Sequence, residues 1–170
     1  LSRLKWLLSK FLKYNFFGIY KSFGTKEFIL PKPDPFLIKK KIKFKKKIID
    51  RIKSKKDVLK LKINSILVGD LLYDTYLKRF NQKTVELDDK FYDFASQFID
   101  LFFFWENFYK KNNIKATIGH HTVYSYAIPL RISINKNIPT FAVNCMEMHQ
   151  LNKKNISTNY QYKTYKRNFN

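Results

Sequence analysis

The sequence predicts an α/β fold, a short parallel sheet flanked by helices, behind a basic helical extension. Three observations carry this. Brief apolar runs at 65–68, 116–119 and 139–143 have the length of buried strands. They alternate with helical periods, the alternation of a parallel sheet covered by helices. The first two runs end in glycine followed by ionisable residues, Gly69-Asp70 and Gly119-His120-His121, as at the ligand-collecting carboxyl edge of such a sheet.

The elements follow in order. Residues 1–17 read as a basic amphipathic helix, with Leu4, Leu7, Leu8, Phe11 and Leu12 on one stripe. Gly18 and Gly24 loosen the chain, and Pro31, Pro33 and Pro35 make an extended linker. Asp34-Pro35 opens a lysine-rich helix reaching about residue 56, edged by Ile38, Ile42, Ile49 and Ile52. Val58, Leu59, Leu61 and Ile63 continue as an extended connection into the strand at 65–68. A short helix at 71–80 and an extended piece at 84–87 come next.

Phe91, Phe94, Ala95, Phe98, Leu101, Phe102, Trp105, Phe108 and Tyr109 then step by three or four, predicting a helix over 89–111. Asp88 or Asp89 caps it, Lys110 and Lys111 suit its negative end, and Asn112-Asn113 stop it. After the strand at 116–119, Thr122 opens a helix to about residue 135, kinked or set by Pro129. The strand at 139–143 follows, and residues 152–170 are polar and expected to be loosely ordered. Three regions result: a basic extension (1–57), an α/β domain (58–150) and a polar tail (151–170). A start at Leu1 and an unpunctuated end lead us to expect a fragment.

Composition bounds the function. The chain has 170 residues, 34 Lys+Arg against 13 Asp+Glu, and a formal net charge of +21. Such charge suits a polyanion, either nucleic acid or an anionic membrane surface. Only Arg3, Arg51, Arg79, Arg131 and Arg167 are arginines; the remaining bases are lysines, in a sequence rich in Asn, Ile, Phe and Tyr. An A/T-biased genome produces that profile, whereas readers of nucleic acid favour the bidentate arginine fork. One cysteine, Cys145, excludes an intrachain disulfide framework and suits a reducing compartment. No uncharged run reaches the ~20 residues that span a bilayer.

Two groups fall at strand ends: Gly69-Asp70 with Tyr73 and Asp74, and His120-His121 with Tyr124 and Arg131. His121 is the first candidate for acid–base work near neutrality, and Asp70 the second. Gly69, Tyr73, His120, Tyr124 and Arg131 are candidate substrate-binding residues. Each has a plainer alternative: a tight turn for Gly69, an N-cap for Asp70, core-edge packing for the tyrosines, an ion pair for Arg131. No metal site is expected, because adjacent histidines seldom share a metal and Cys145 with His149 has no second pair. Asp88-Asp89 reads as helix capping rather than a metal dyad. Lys39, Lys40, Lys41, Lys45, Lys46 and Lys47 are the candidate contacts to a membrane or polyanion, with a solvated face as the alternative.

These residues also carry a resemblance. The stretches 20–24 and 66–77, then His121-Thr122-Val123-Tyr124-Ser125-Tyr126 with Arg131 and Asn137-Ile138-Pro139, resemble segments of bacterial surface or capsular polysaccharide biosynthesis proteins. Their order and spacing match from about Tyr20 to Asn144. Where that family commonly has glycine after the second tyrosine, this chain has Ala127 and then Pro129. The resemblance implies a GT-B-like glycosyltransferase with two facing Rossmann-like domains, of which this would be the amino-terminal, acceptor-side one. It implies a nucleotide-sugar donor held largely by a second domain, and no cofactor in this stretch. The implied acceptor is a sugar or lipid-linked saccharide at the inner face of the cytoplasmic membrane, where the basic helices would dock on anionic lipid. The competing expectation is a lysine-rich nucleic-acid-binding protein, ribosomal or organellar, using lysines 39–62 on phosphates. A purely structural membrane scaffold is a third.

Overall fold

The computed structural model describes residues 20–32, 35–143 and 147–156. The chain divides into two units, Leu1–Pro31 and Lys32–Asn170. In the first, residues 20–22 are helical and Gly24, at φ +84°, ends the turn. The Tyr20 ring meets Phe28 edge-on at 6.5 Å. The helix expected over 1–17, the cap expected at Asp34 and the tail beyond Ile156 lie outside the described residues.

In chain order the second unit contains α1 (Pro35–Ile49), α2 (Lys55–Leu59), β1 (Lys62–Ile63), β2 (Ile66–Leu67), α3 (Gly69–Phe80) and α4 (Asp89–Lys111). Then come β3 (Thr117–Gly119), a 3₁₀ turn (Ser125–Ala127), α5 (Ile128–Asn135), β4 (Thr140–Val143) and β5 (Met148–Leu151). The fold is mixed α/β.

The long helix α4 organises the core. The Asp88 carboxylate caps it by accepting the Phe91 N–H at 2.8 Å, and Asn112 closes it on the Phe108 carbonyl. Phe91, Phe94, Phe98, Ile99, Phe102 and Phe103 are all buried. Each such side chain contributes about 1.5–3 kcal/mol on leaving water. Tyr76 of α3 stacks edge-on against Phe91 at 5.3 Å, while α1 lies along the other flank with Phe44 6.0 Å from Phe103.

Strands β3 and β4 are parallel, with Ile118 opposite Phe141, and α5 is the crossover between them. β5 returns antiparallel to β4. Leu130 and Ile134 of α5 pack on Ala142 and Leu151, while Ile128 and Ile132 face the large core. A chain of hydroxyls crosses this layer: Tyr109 meets Thr117 at 2.7 Å, Ser133 donates to Thr117 at 2.9 Å, and Thr140 lies 2.8 Å from Ser133. The alternation along the strands leaves Ile118 and Met148 exposed on the opposite face.

Four expectations need correction. The run at 65–68 does not join the parallel sheet; β2 pairs antiparallel with β1 in a separate hairpin. Asn64 (φ 49°) and Ser65 (φ 67°) form its two-residue turn, whose positive φ values match the twist of a hairpin. The connection at 58–63 is partly helical, because Ser54 caps α2 by accepting the Asp57 N–H. No helix starts at Thr122: α5 begins at Ile128, since an earlier start would drive the Pro129 ring into the carbonyl four residues back. Finally, α1 belongs to the second unit rather than to an extension ending at residue 57, because its Ile48 is core and its Lys41 and Lys45 reach α4.

Candidate functional site

The loop leaving the carboxyl end of β3 holds His120 and His121, both exposed. His120 Nδ1 lies 2.9 Å from the Val143 carbonyl at the carboxyl end of β4. A carbonyl only accepts, so Nδ1 carries the proton, and the neutral ring keeps its lone pair on Nε2. His121 sits against it, ring centroids 4.4 Å apart, and the Tyr126 ring lies 5.9 Å from that of His121. The two parallel strands thus bring an oriented imidazole to their shared edge.

Two contacts clamp this loop to α3, and an ion pair joins α5 to the same helix. The Ser125 N–H donates to Thr75 Oγ1 at 2.8 Å. Lys78 Nζ stands 4.3 Å over the Tyr124 ring. Arg131 Nη2 meets Asp70 Oδ2 at 2.6 Å, with side chains 3% and 39% exposed. At this junction Tyr124 adopts φ +59°, ψ −176°, a region nearly reserved for glycine. Such backbone costs about 1–3 kcal/mol and persists only where neighbours impose it. Asp74, a turn beyond Asp70, has its carboxyl raised above the usual range by burial and then by the Asp70 charge.

The other sequence candidates divide. Asp70 is the counter-ion of Arg131 through Oδ2, and it does not cap α3, whose N-cap is Val68. Gly69 is buried, and a Cβ there would stand 2.0 Å from the Val58 carbonyl oxygen. It lets α2 touch α3 and has no room for a ligand. Tyr73 packs on the large core with its hydroxyl 3.4 Å from Thr84, away from the histidines. Tyr124 does border the histidine loop. Thr75 and Lys78 were missed, although Asp70, Asp74 and Lys78 share one helical face by their four-residue spacing.

Of the six lysines, Lys41 and Lys45 turn inward, to Glu106 at 2.6 Å and Asp100 at 2.9 Å. They hold α1 on α4 and are withdrawn as surface contacts. Lys39, Lys40, Lys46 and Lys47 are exposed, as is Lys43. His149 stands on β5 beside Glu147 at 2.8 Å, and Cys145 lies outside the described residues. Among the described residues no helix is long and apolar enough to cross a membrane, and no three His, Cys, Asp or Glu side chains gather as a metal set.

Two adjoining concavities lie elsewhere, at the amino end of β4. One of about 500 Å³ is bordered by Ile138, Pro139 and Leu151; a neighbour of about 280 Å³ reaches Arg131 and Leu67. The histidine edge, with both imidazoles exposed, lies on the surface apart from them. Compared with protein-family models, curated proteins and solved structures, the chain matches none.

Proposed function

We propose that this chain supplies the acceptor side of a sugar-transfer site serving surface-polysaccharide synthesis, as a Rossmann-like half of a GT-B-like enzyme. The observation that carries the reading is the His120 ring, its Nδ1–H held by the Val143 carbonyl beside the paired edge of two parallel strands. Nε2 is then the base for an acceptor hydroxyl, a role that contributes about 10²–10⁴-fold to rate. His120 takes the role first assigned to His121, and His121 with Tyr126 forms the wall against which a sugar ring would rest. The nucleotide-sugar donor would be held by a second domain, and the exposed lysines of α1 would keep the site at an anionic membrane face in the cytoplasm. Those lysines include no arginine, which favours a diffuse lipid surface over base-reading of nucleic acid.

The test replaces His120 and His121 singly by alanine in the producing cells and measures cell-surface polysaccharide and labelled-sugar transfer by membranes. Loss of at least 100-fold with His120→Ala, and a smaller loss with His121→Ala, is expected. Unchanged polymer in both variants would refute it.

A further inference from the structure

We infer that the groove at the amino end of β4 binds an amphiphilic anion, a single phosphate or carboxylate head on an alkyl chain. The inference does not rest on sugar transfer, because the groove lies at the opposite end of β4 from His120. Its two lobes, about 280 and 500 Å³, share Ile134 and Lys153 and fall within or near the range of ligand cavities, about 300–1,000 Å³.

Charge selects the head. Lys62 and Lys153 flank the smaller lobe, Lys154 the larger, and among the described residues no carboxylate lines either. Arg131 borders the smaller lobe with its side chain only 3% exposed. Its guanidinium is incompletely used: one nitrogen meets Asp70 Oδ2, another reaches the Leu67 carbonyl at a long 3.3 Å, and Nε, like Asp70 Oδ1, is buried with no hydrogen-bond partner among the described residues. Asp70 already balances the charge of Arg131, so the attraction for an anion comes from the exposed lysines at the rim, with Arg131 adding hydrogen-bonding capacity at the floor. Of the carbonyls near the end of α5, those of Ile132, Ser133 and Ile134 already accept from the N–H groups of Lys136, Asn137 and Ile138.

The walls select the tail. Ile66, Leu67, Ile134 and Ile156 line the smaller lobe, and Ile138, Pro139 and Leu151 extend the apolar surface into the larger one. A free inorganic anion would leave this surface wet. An alkyl chain covers it, and the affinity gained grows with the area removed from water.

Isothermal titration tests this with octyl phosphate, octanoate, octyl glucoside and inorganic phosphate, all below micelle formation. Octyl phosphate or octanoate is expected to saturate one site at least ten-fold more tightly than inorganic phosphate or octyl glucoside. Whichever head binds better names the source, and either supports the proposal. The double charge reversal Lys62→Glu/Lys153→Glu, on exposed side chains, should weaken binding at least ten-fold. The control Lys39→Glu/Lys46→Glu, on α1, should stay within two-fold. Methyl resonances of Ile134, Leu151 and Ile156 should shift on titration, a readout available in the unaltered protein. Equal binding of octyl glucoside, equal weakening by both reversals, or absence of methyl shifts would overturn it.

Discussion

Replacing Glu106 by alanine should loosen the junction of three elements at once. Its carboxylate is buried on α4 and accepts from Lys41 of α1 at 2.6 Å and from Asn64 in the β1–β2 turn, with Lys110 at 3.5 Å. Burial alone would raise this carboxyl. The hydrogen bonds from Lys41 and Asn64 and the charges of Lys41 and Lys110 outweigh it, so the net displacement is below the usual range. A hydrogen bond to a charged group contributes about 1.5–3 kcal/mol, and Glu106 receives two. Lys110 is largely exposed and adds at most about 1 kcal/mol. Lys41 is a quarter exposed and regains water once freed, which returns part of the loss. We expect Glu106→Ala to destabilise by about 2–4 kcal/mol, a fall in Tm of roughly 5–15 °C for a chain of this size. Glu106→Gln keeps an acceptor for Asn64 and should lose about half as much.

Urea unfolding followed by circular dichroism measures this, with Lys41→Met closing a double-mutant cycle. A coupling of at least about 1 kcal/mol is expected between the two positions. The pH dependence has a definite sign. A carboxyl lowered in the folded state stabilises fully above its unfolded value, near 4.5, and that contribution fades as pH falls through the lower folded value. Wild type should therefore lose its advantage over Glu106→Gln only in acid. A loss under about 0.5 kcal/mol, the scale of ordinary surface changes, or strict additivity with Lys41→Met would refute the reasoning.

Two further outcomes follow from the packing. Gly69→Ala places a methyl 2.0 Å from the Val58 carbonyl oxygen and 2.7 Å from the Leu59 carbonyl, so α2 must move; a loss of about 3 kcal/mol, at the top of the overpacking range, should appear in the same urea assay. Thr140→Val removes the hydroxyl that Ser133 accepts from, and that also lies 2.8 Å from the Ile138 carbonyl, in a fully buried setting; about 1–3 kcal/mol should be lost, with faster amide exchange across β3 and β4.

What could be read from the sequence followed strength of period. The helix at 89–111 and its Asp88 cap are found where three-and-four spacing placed them, and β3 and β4 lie within the expected apolar runs. The separate hairpin was harder. Lys60-Leu61-Lys62-Ile63 does alternate exposed and buried, yet β1 and β2 have two residues each, too few for a pattern to decide their partner. Strand pairing is non-local: β2 lies against α5 rather than a third parallel strand, and Arg131 reaches the Leu67 carbonyl. Strand β5 gave no signal because only Leu151 of its four residues is buried.

The candidate site shows the same division between local and non-local information. A glycine followed by histidines after an apolar run is local, and the structure does place His120 at a strand end. That His120 rather than His121 has its tautomer set depends on Val143, 23 residues away. Arg131 is the sharper case. Sequence groups it with His121, ten residues earlier, at the head of what reads as one helix from Thr122. In three dimensions α5 starts only at Ile128, and Arg131 projects toward Asp70 and Leu67, at the groove rather than at the histidines. One buried helix thus separates two surfaces that a linear reading merges: an imidazole at the carboxyl edge of the strands and a guanidinium with an unpaired Nε near the amino edge. A substitution at Arg131 should therefore disturb the groove and the α3–α5 junction while leaving the His120–Val143 contact in place.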